Sequence, residues 1–212
     1  LLFSATLPQL IVHFVKAGLH NPVLVRLDVE HKLSENLTSH FIYCRENEKL
    51  SILLYLLNRF IKKNEMTVVF TSTRHHVEYL KCVLDWAHIE CNFVYSTLAQ
   101  EARKVNIQRF RSKKVNILLV TDIAARGIDI PFLDNVINFN FPSKPKLYVH
   151  RVGRVARAGR SGNAYSFVSP DEVPYLYDLH LFLDKELILA SNTCKLSLKD
   201  GIFGTAPQEL ID

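Results

Sequence analysis

The stretch NILLVTDIAARGIDIP, Asn116 to Pro131, decides how this chain is read. Ile117 to Val120 is an unbroken aliphatic run, too short for a typical helix and lacking the alternation of a half-exposed strand. It reads as a strand buried on both faces. It ends in Thr121-Asp122, and in open α/β sheets ligands bind outside the carboxyl ends of the strands. Ala124 and Ala125 allow close backbone approach, and Gly127 permits a turn with positive φ. Asp129 is an acceptor suited to a ribose hydroxyl. Arg126 can face a phosphate or pair with Asp122. An N-capped turn with one internal ion pair accounts for Asp122 but leaves the rest of the string unexplained.

The same grammar extends in both directions. LLF, PVLVRL, TSHFIYC, TVVFTS, CNFVYS, DNVINFNF and NAYSFVS read as further strands. Between them lie helical segments at 9–19, 46–61, 75–87, 100–111, 144–151 and 171–183. In the second of these, Leu50, Leu53, Leu54, Leu57 and Phe60 recur at helical spacing, a core stripe. Such alternation predicts βαβ units with right-handed crossovers: an α/β fold with an open, mostly parallel sheet and helices on both faces. Four strands run into small or polar clusters, Ser4-Ala5-Thr6, Thr71-Ser72-Thr73-Arg74, Ser96-Thr97 and Thr121-Asp122. Strand-to-helix turns favour such residues anyway, but four on one sheet edge point to a phosphate-bearing ligand.

Bulk properties narrow the class. Of the 212 residues 48% are hydrophobic and 22% charged, the balance of an ordinary globular protein. No run approaches the roughly 18–20 apolar residues of a membrane span; the nearest, LLFSATLPQLIVHFVKAGL, is broken by Pro8, His13 and Lys16 and lacks the features of a signal peptide. The absence of an initial Met suggests an excised piece. Cys44, Cys82, Cys91 and Cys194 show no CxxC pairing and read as reduced thiols of a cytosolic or nuclear protein. A zinc site from His75, His76, Cys82 and Cys91 misses the usual ligand spacings, so no metal site is expected. The sequon at Asn36 is read as chance. Residues 100–160 hold 13 of the 26 Lys+Arg and 4 of the 21 Asp+Glu, which predicts a polyanion partner.

Within that block, HRVGRVARAGRSG (His150 to Gly162) places Arg151, Arg154, Arg157 and Arg160 three apart among three glycines. The glycines are expected to turn the chain so that the arginines point in different directions.

Taken in order, SAT (Ser4 to Thr6), VVFTSTR (Val68 to Arg74), QEAR (Gln100 to Arg103), VTDIAARGIDIP and HRVGRVAR resemble the motifs of the DEAD-box RNA helicases. The match is to the second, C-terminal RecA-like domain of that family and runs over nearly the whole chain. VARAGRSGNAYSFVSPDEVPYLYDLHLFL and DGIFGTAPQELID further resemble a nucleolar subfamily linked to assembly of the large ribosomal subunit.

The resemblance implies roles. Arg154 and Arg157 match arginine fingers that reach the γ-phosphate of ATP, bound with Mg²⁺ mainly by the first domain. Asp129, with Gly127, matches the ribose contact. Thr71, Gln100, Arg103, Thr121 and Arg126 match positions along the RNA backbone path, and His150 matches the residue coupling the two ligands. Ser4, Thr6 and Asp122 match interdomain coupling positions. Arg151 is expected to brace the fold and Arg160 to lie on the surface. Tyr95-Ser96 departs from a usual His-Gly, and Asn140 stands for a frequent Asp, where an ion pair is expected to be lost.

The implied organisation is residues 1–27 as the last helix and strand of the first RecA-like domain, 28–36 as linker, 37–190 as the second RecA-like domain and 191–212 as an extension. No phosphate loop or Asp-Glu-Ala-Asp string occurs, so the chain alone is expected not to hydrolyse ATP. Implied partners are RNA, the first domain, pre-ribosomal proteins and, through residues 1–27, another copy; the implied location is the nucleolus, with the cytoplasm second. The competing reading is a non-catalytic scaffold that docks RNA or a partner.

Overall fold

The computed structural model describes residues 33–126, 128, 130, 132–157, 159–189 and 202–205, all within one compact unit. The expectations for residues 1–32, Gly127, Asp129 and most of 191–212 lie outside these residues.

Eight parallel strands make one sheet. In chain order they are β1 Leu37–Tyr43, β2 Thr67–Thr71, β3 Asn92–Val94, β4 Ile117–Thr121, β5 Asn135–Asn138, β6 Gly162–Val168, β7 Ile188–Leu189 and β8 Ile202–Thr205. Across the sheet the order is β3-β4-β2-β5-β6-β1-β8-β7. The six strands from β3 to β1 were legible in sequence. β7 and β8 continue the sheet beyond β1, with Phe41 opposite Phe203.

Helices cover both faces because the strand residues split between two cores. Val68, Phe70, Leu118, Val120 and Val136 face one core; Val69, Leu119 and Ile137 face the other. The second core is closed by α1 (Lys49–Tyr55) and α2 (Arg74–Trp86), through Ile52, Leu53, Val77, Leu80 and Leu84. The first is closed by α3 (Gln100–Arg111), the short α4 (Asp122–Ala125), α5 (Pro145–Val152) and α6 (Val173–Leu183), through Phe110, Ala124, Tyr148, Val152, Leu176 and Leu179. Near-complete burial of each large aliphatic side chain contributes about 1.5–3 kcal/mol, so these two layers hold the sheet.

Local signals set the helix ends. Thr73 caps α2 by accepting the His76 N–H at 3.2 Å, and Pro145 opens α5 where no N–H is needed. The segment 46–61 departs from a uniform helix: it is a 3₁₀ turn at Glu46–Glu48, then α1, then a π-helical turn at Leu56–Phe60. That last turn ends with the Ile61 N–H on the Leu56 carbonyl at 2.9 Å.

Buried charge ties the two layers together. Lys49, fully buried, bonds Glu172 at 2.8 Å and Glu46 at 2.7 Å. Glu172 also takes the Phe141 N–H at 2.9 Å and the Ser169 N–H at 3.0 Å. An ion pair taken out of water in this way holds only because its remaining acceptors are filled.

His180 of α6 packs edge-on to Phe41 at 5.4 Å, with Nδ1 3.2 Å from the Lys185 carbonyl oxygen. Its Nε2 is buried with no bonding partner among the described residues. Burial pushes the imidazole below its ordinary 6.5, more than the Lys185 carbonyl pulls it back. The folded state thus holds the neutral ring. Its contribution is complete above the unfolded value and is lost as pH falls below it. The drop in thermal midpoint between neutral and mildly acidic buffer should therefore shrink in His180→Phe. An unchanged drop would show that His180 carries none of it.

Candidate nucleic-acid interface

All strands being parallel, their carboxyl ends share one edge of the sheet. There the structure gathers the turn after β2, the start of α3 and the Thr121–Arg126 segment. Thr71 reaches this edge, but its hydroxyl is fully buried and turned inward, 3.3 Å from the Thr73 carbonyl oxygen and 3.4 Å from that of Val120. What this turn offers a ligand is Ser72 and Thr73, both exposed, with His76 Nδ1 at 3.1 and 3.2 Å from their hydroxyls. Sequence reading weighed His76 only as a metal ligand; its spacing after the capping Thr73 was the available signal. Thr121 is also nearly buried, whereas Gln100 and Arg126 are exposed.

Arg103 donates from Nη2 to the Ala124 carbonyl at 2.8 Å, which fixes α3 against α4. Asp122 does not pair with Arg126. The chain leaves α4 extended at Arg126 (φ −67°, ψ 133°), and Asp122 instead receives a two-pronged contact from Arg151, Nε to Oδ1 and Nη2 to Oδ2, each 2.7 Å. Nη1 of Arg151 reaches Asn138 Oδ1 at 3.0 Å and the Asn140 carbonyl at 2.8 Å. The guanidinium lies 5.1 Å from the centre of the Phe70 ring and Arg151 is 3% exposed. A fork filled in this way is a planar, bidentate brace that lysine would not reproduce. Asn140 makes no ion pair: its Oδ1 accepts the Ser72 N–H at 3.0 Å, so the amide holds the turn after β2.

α5 runs back across the sheet, so its far end lies at the amino edge. There the Leu133 N–H meets the Arg154 carbonyl at 3.4 Å and Leu133 bridges Val155. His150 is exposed one turn before Arg154. Arg154 is half-buried; Arg157 is exposed and bonds the Gly153 carbonyl through Nε. Partial burial, then the like charge of Arg154, lower the Arg157 guanidinium from its usual range. The Nε bond to the Gly153 carbonyl brings the Arg157 guanidinium back beside the backbone of Arg154. Arg160 is exposed, 5.9 Å from the centre of the Phe132 ring.

Of the glycines expected to turn this loop, Gly159 does so and Gly153 does not. Gly153 keeps φ −64°; Ala156, at φ 54°, takes the left-handed conformation between the two arginines, and Gly159 takes another at 77°. The Ser34 hydroxyl holds the Ala156 carbonyl at 2.9 Å. Gly162 is required by close approach: a Cβ there would stand 2.1 Å from Val155 Cγ1 and 3.0 Å from the Asp134 carbonyl oxygen.

Among the described residues no group of three or more His, Cys, Asp or Glu is placed to hold a metal. Burial raises the Cys91 thiol to about 12, which removes it as a ready thiolate. No described helix is long and apolar enough to cross a membrane.

Known proteins share the sequence and the fold of this chain. Residues 48–159 match the family described as helicase conserved C-terminal domain. The chain is 54% identical over 216 residues to ATP-dependent RNA helicase DDX54 of Mus musculus, covering 100% of this chain and 25% of that protein. It thus spans about a quarter of the curated relatives it matches. Among solved structures, the E. coli DEAD-box protein SrmB bound to RraA superposes with TM-score 0.67 at 29% identity, over 85% of this chain and 94% of that one. S. cerevisiae Dbp5 bound to RNA and ADP BeF3 superposes with TM-score 0.75 at 25% identity, over 97% and 50%.

Two neighbouring substitutions should act in opposite directions on stability. Gly162→Ala is expected to cost about 1–3 kcal/mol by overpacking, while Ala156→Gly should gain up to about 1 kcal/mol by relieving the left-handed alanine. Denaturant midpoints measure both; destabilisation by Ala156→Gly would refute the strain.

Proposed function

The chain belongs to the helicase conserved C-terminal domain family, and on that premise we propose that it is the second RecA-like domain of an ATP-dependent RNA helicase. The parent binds RNA and ATP between two such domains and parts short duplexes. The subfamily resemblance favours a parent that works in ribosome biogenesis, in the nucleolus. A relative of similar fold is bound to RNA and ADP BeF3.

One observation carries this reading. The forked bond from Arg151 to Asp122 makes α5 a braced rod between the carboxyl edge and the arginine loop. At one end Gln100, Arg103, Thr121 and Arg126 lie with the turn after β2, around an RNA backbone path. The contacts there are to phosphate and 2′-hydroxyl, without reading of sequence. The buried Thr71 serves that path through the turn it anchors. At the other end Arg154 and Arg157 project without a carboxylate partner among the described residues.

ATP with Mg²⁺, held mainly by the first domain, supplies the transferable phosphoryl group. Arg154 and Arg157 fit its polyphosphate: their mutual repulsion is relieved by an anion placed between them, and their charge stabilises the phosphoryl oxygens in the transition state. Asp129 with Gly127 would take the ribose, and Ser4 and Thr6 would join the domains. His150, between the two ends of α5, is the residue through which they communicate. Alone, the chain has the arginines but no phosphate loop, and hydrolyses no ATP.

In the intact parent, Arg154→Ala and Arg157→Ala should each lower RNA-stimulated kcat by about 10³-fold or more, with single-stranded RNA affinity within a few-fold of unaltered protein. Turnover that survives both substitutions would show that these arginines are not fingers.

A further inference from the structure

A groove of about 610 Å³ runs along the exposed face of α3, beginning at Gln100 and Arg103 and ending at Arg111. Its lining follows the helix at i, i+3/i+4, i+7/i+8 and i+11, roughly 16 Å of rise. Arg103, Lys104 and Arg111 supply the charge, Gln100 and Gln108 the amides, and Ile107 with Ile128 the apolar wall. Among the described residues no carboxylate lines it. On neighbouring surfaces Arg74 pairs with Glu78, Lys81 with Asp85, and Arg109, on another face of α3, with Glu90. Lys104 is exposed and has no ion pair among the described residues.

Helix stability does not call for this pattern, since α3 contributes only Phe110 to the core as a fully buried residue. Cations alternating with amides along an aliphatic wall suit a ribose-phosphate strand: cations for phosphate oxygens, amides for 2′-hydroxyls, isoleucine against the sugar. An acidic peptide would use the cations but leave the regular amides without a role.

We propose that this groove carries the RNA strand onward from Gln100 and Arg103, with Lys104 and Gln108 as further backbone contacts beyond the path assigned above. The inference rests on that assignment, and its test separates the two.

In the intact parent, binding of a short labelled oligouridylate is measured across a series of salt concentrations. Lys104→Ala should weaken binding about fivefold and lower the slope of log affinity against log salt by about 0.7, one single-strand phosphate contact. Gln108→Ala should weaken binding without changing the slope, and Lys185→Ala, an exposed cation after α6 on the β1 side of the sheet, should do neither. If Lys104→Ala matches Lys185→Ala while Gln100→Ala and Arg103→Ala still weaken binding, the extended groove is wrong and the original path stands. If none of the four substitutions on α3 matters, the RNA reading of this edge falls as well. Oligoglutamate that displaces the RNA as well as unlabelled oligouridylate, in a manner dependent on Lys104, would make the groove a peptide site and overturn the proposal.

Discussion

The arrangement depends on one buried guanidinium. Arg151 gives two bonds to Asp122, one to Asn138 and one to the Asn140 carbonyl, and faces the Phe70 ring. It therefore joins α5 to the ends of β2, β4 and β5 at once. A buried charge is costly unless its donors are filled, and here the filling groups come from segments far apart in sequence. The turn that begins at Asp122 and the helix that leads to Arg154 can be satisfied only in this relative placement. Asn138 extends the network by donating to Ser166 Oγ on β6 at 3.0 Å.

From that brace follows the separation of roles along α5. The arginines three apart in sequence meet different surroundings: Arg151 is inside, Arg154 and Arg157 stand together beyond the helix end, and Arg160 rests on Phe132. The left-handed Ala156 makes the change of direction, held by Ser34 and by the tight seat of Gly162. Strain of this kind persists where surroundings over-determine it, and such places are commonly functional.

Much of the frame was legible in the residues. β4 and α3 have the bounds that their apolar run and helical periodicity announce, because each carries its signal locally. The bracing role of Arg151 was also expected, but its partner was not. Sequence proximity favoured Arg126 for Asp122, yet α4 ends by sending Arg126 outward, and the fork arrives from a residue 29 positions away. The direction of the Thr71 hydroxyl depends on the β2–β4 register, which no local pattern reveals. β7 and β8 are short and acquire meaning only beside β1, so neither was read as a strand and β8 fell in the C-terminal extension. The α3 groove was visible only as a basic block; which cations share one face with the amides depends on tertiary placement.

The most direct test of the brace is a double-mutant cycle between Asp122→Asn and Arg151→Met, read by equilibrium unfolding. Each single change should cost about 3 kcal/mol by stranding a buried partner. The pair should cost clearly less than their sum, with a coupling above about 1 kcal/mol. Additivity within about 0.5 kcal/mol would contradict it, and α5 would then be held by packing alone.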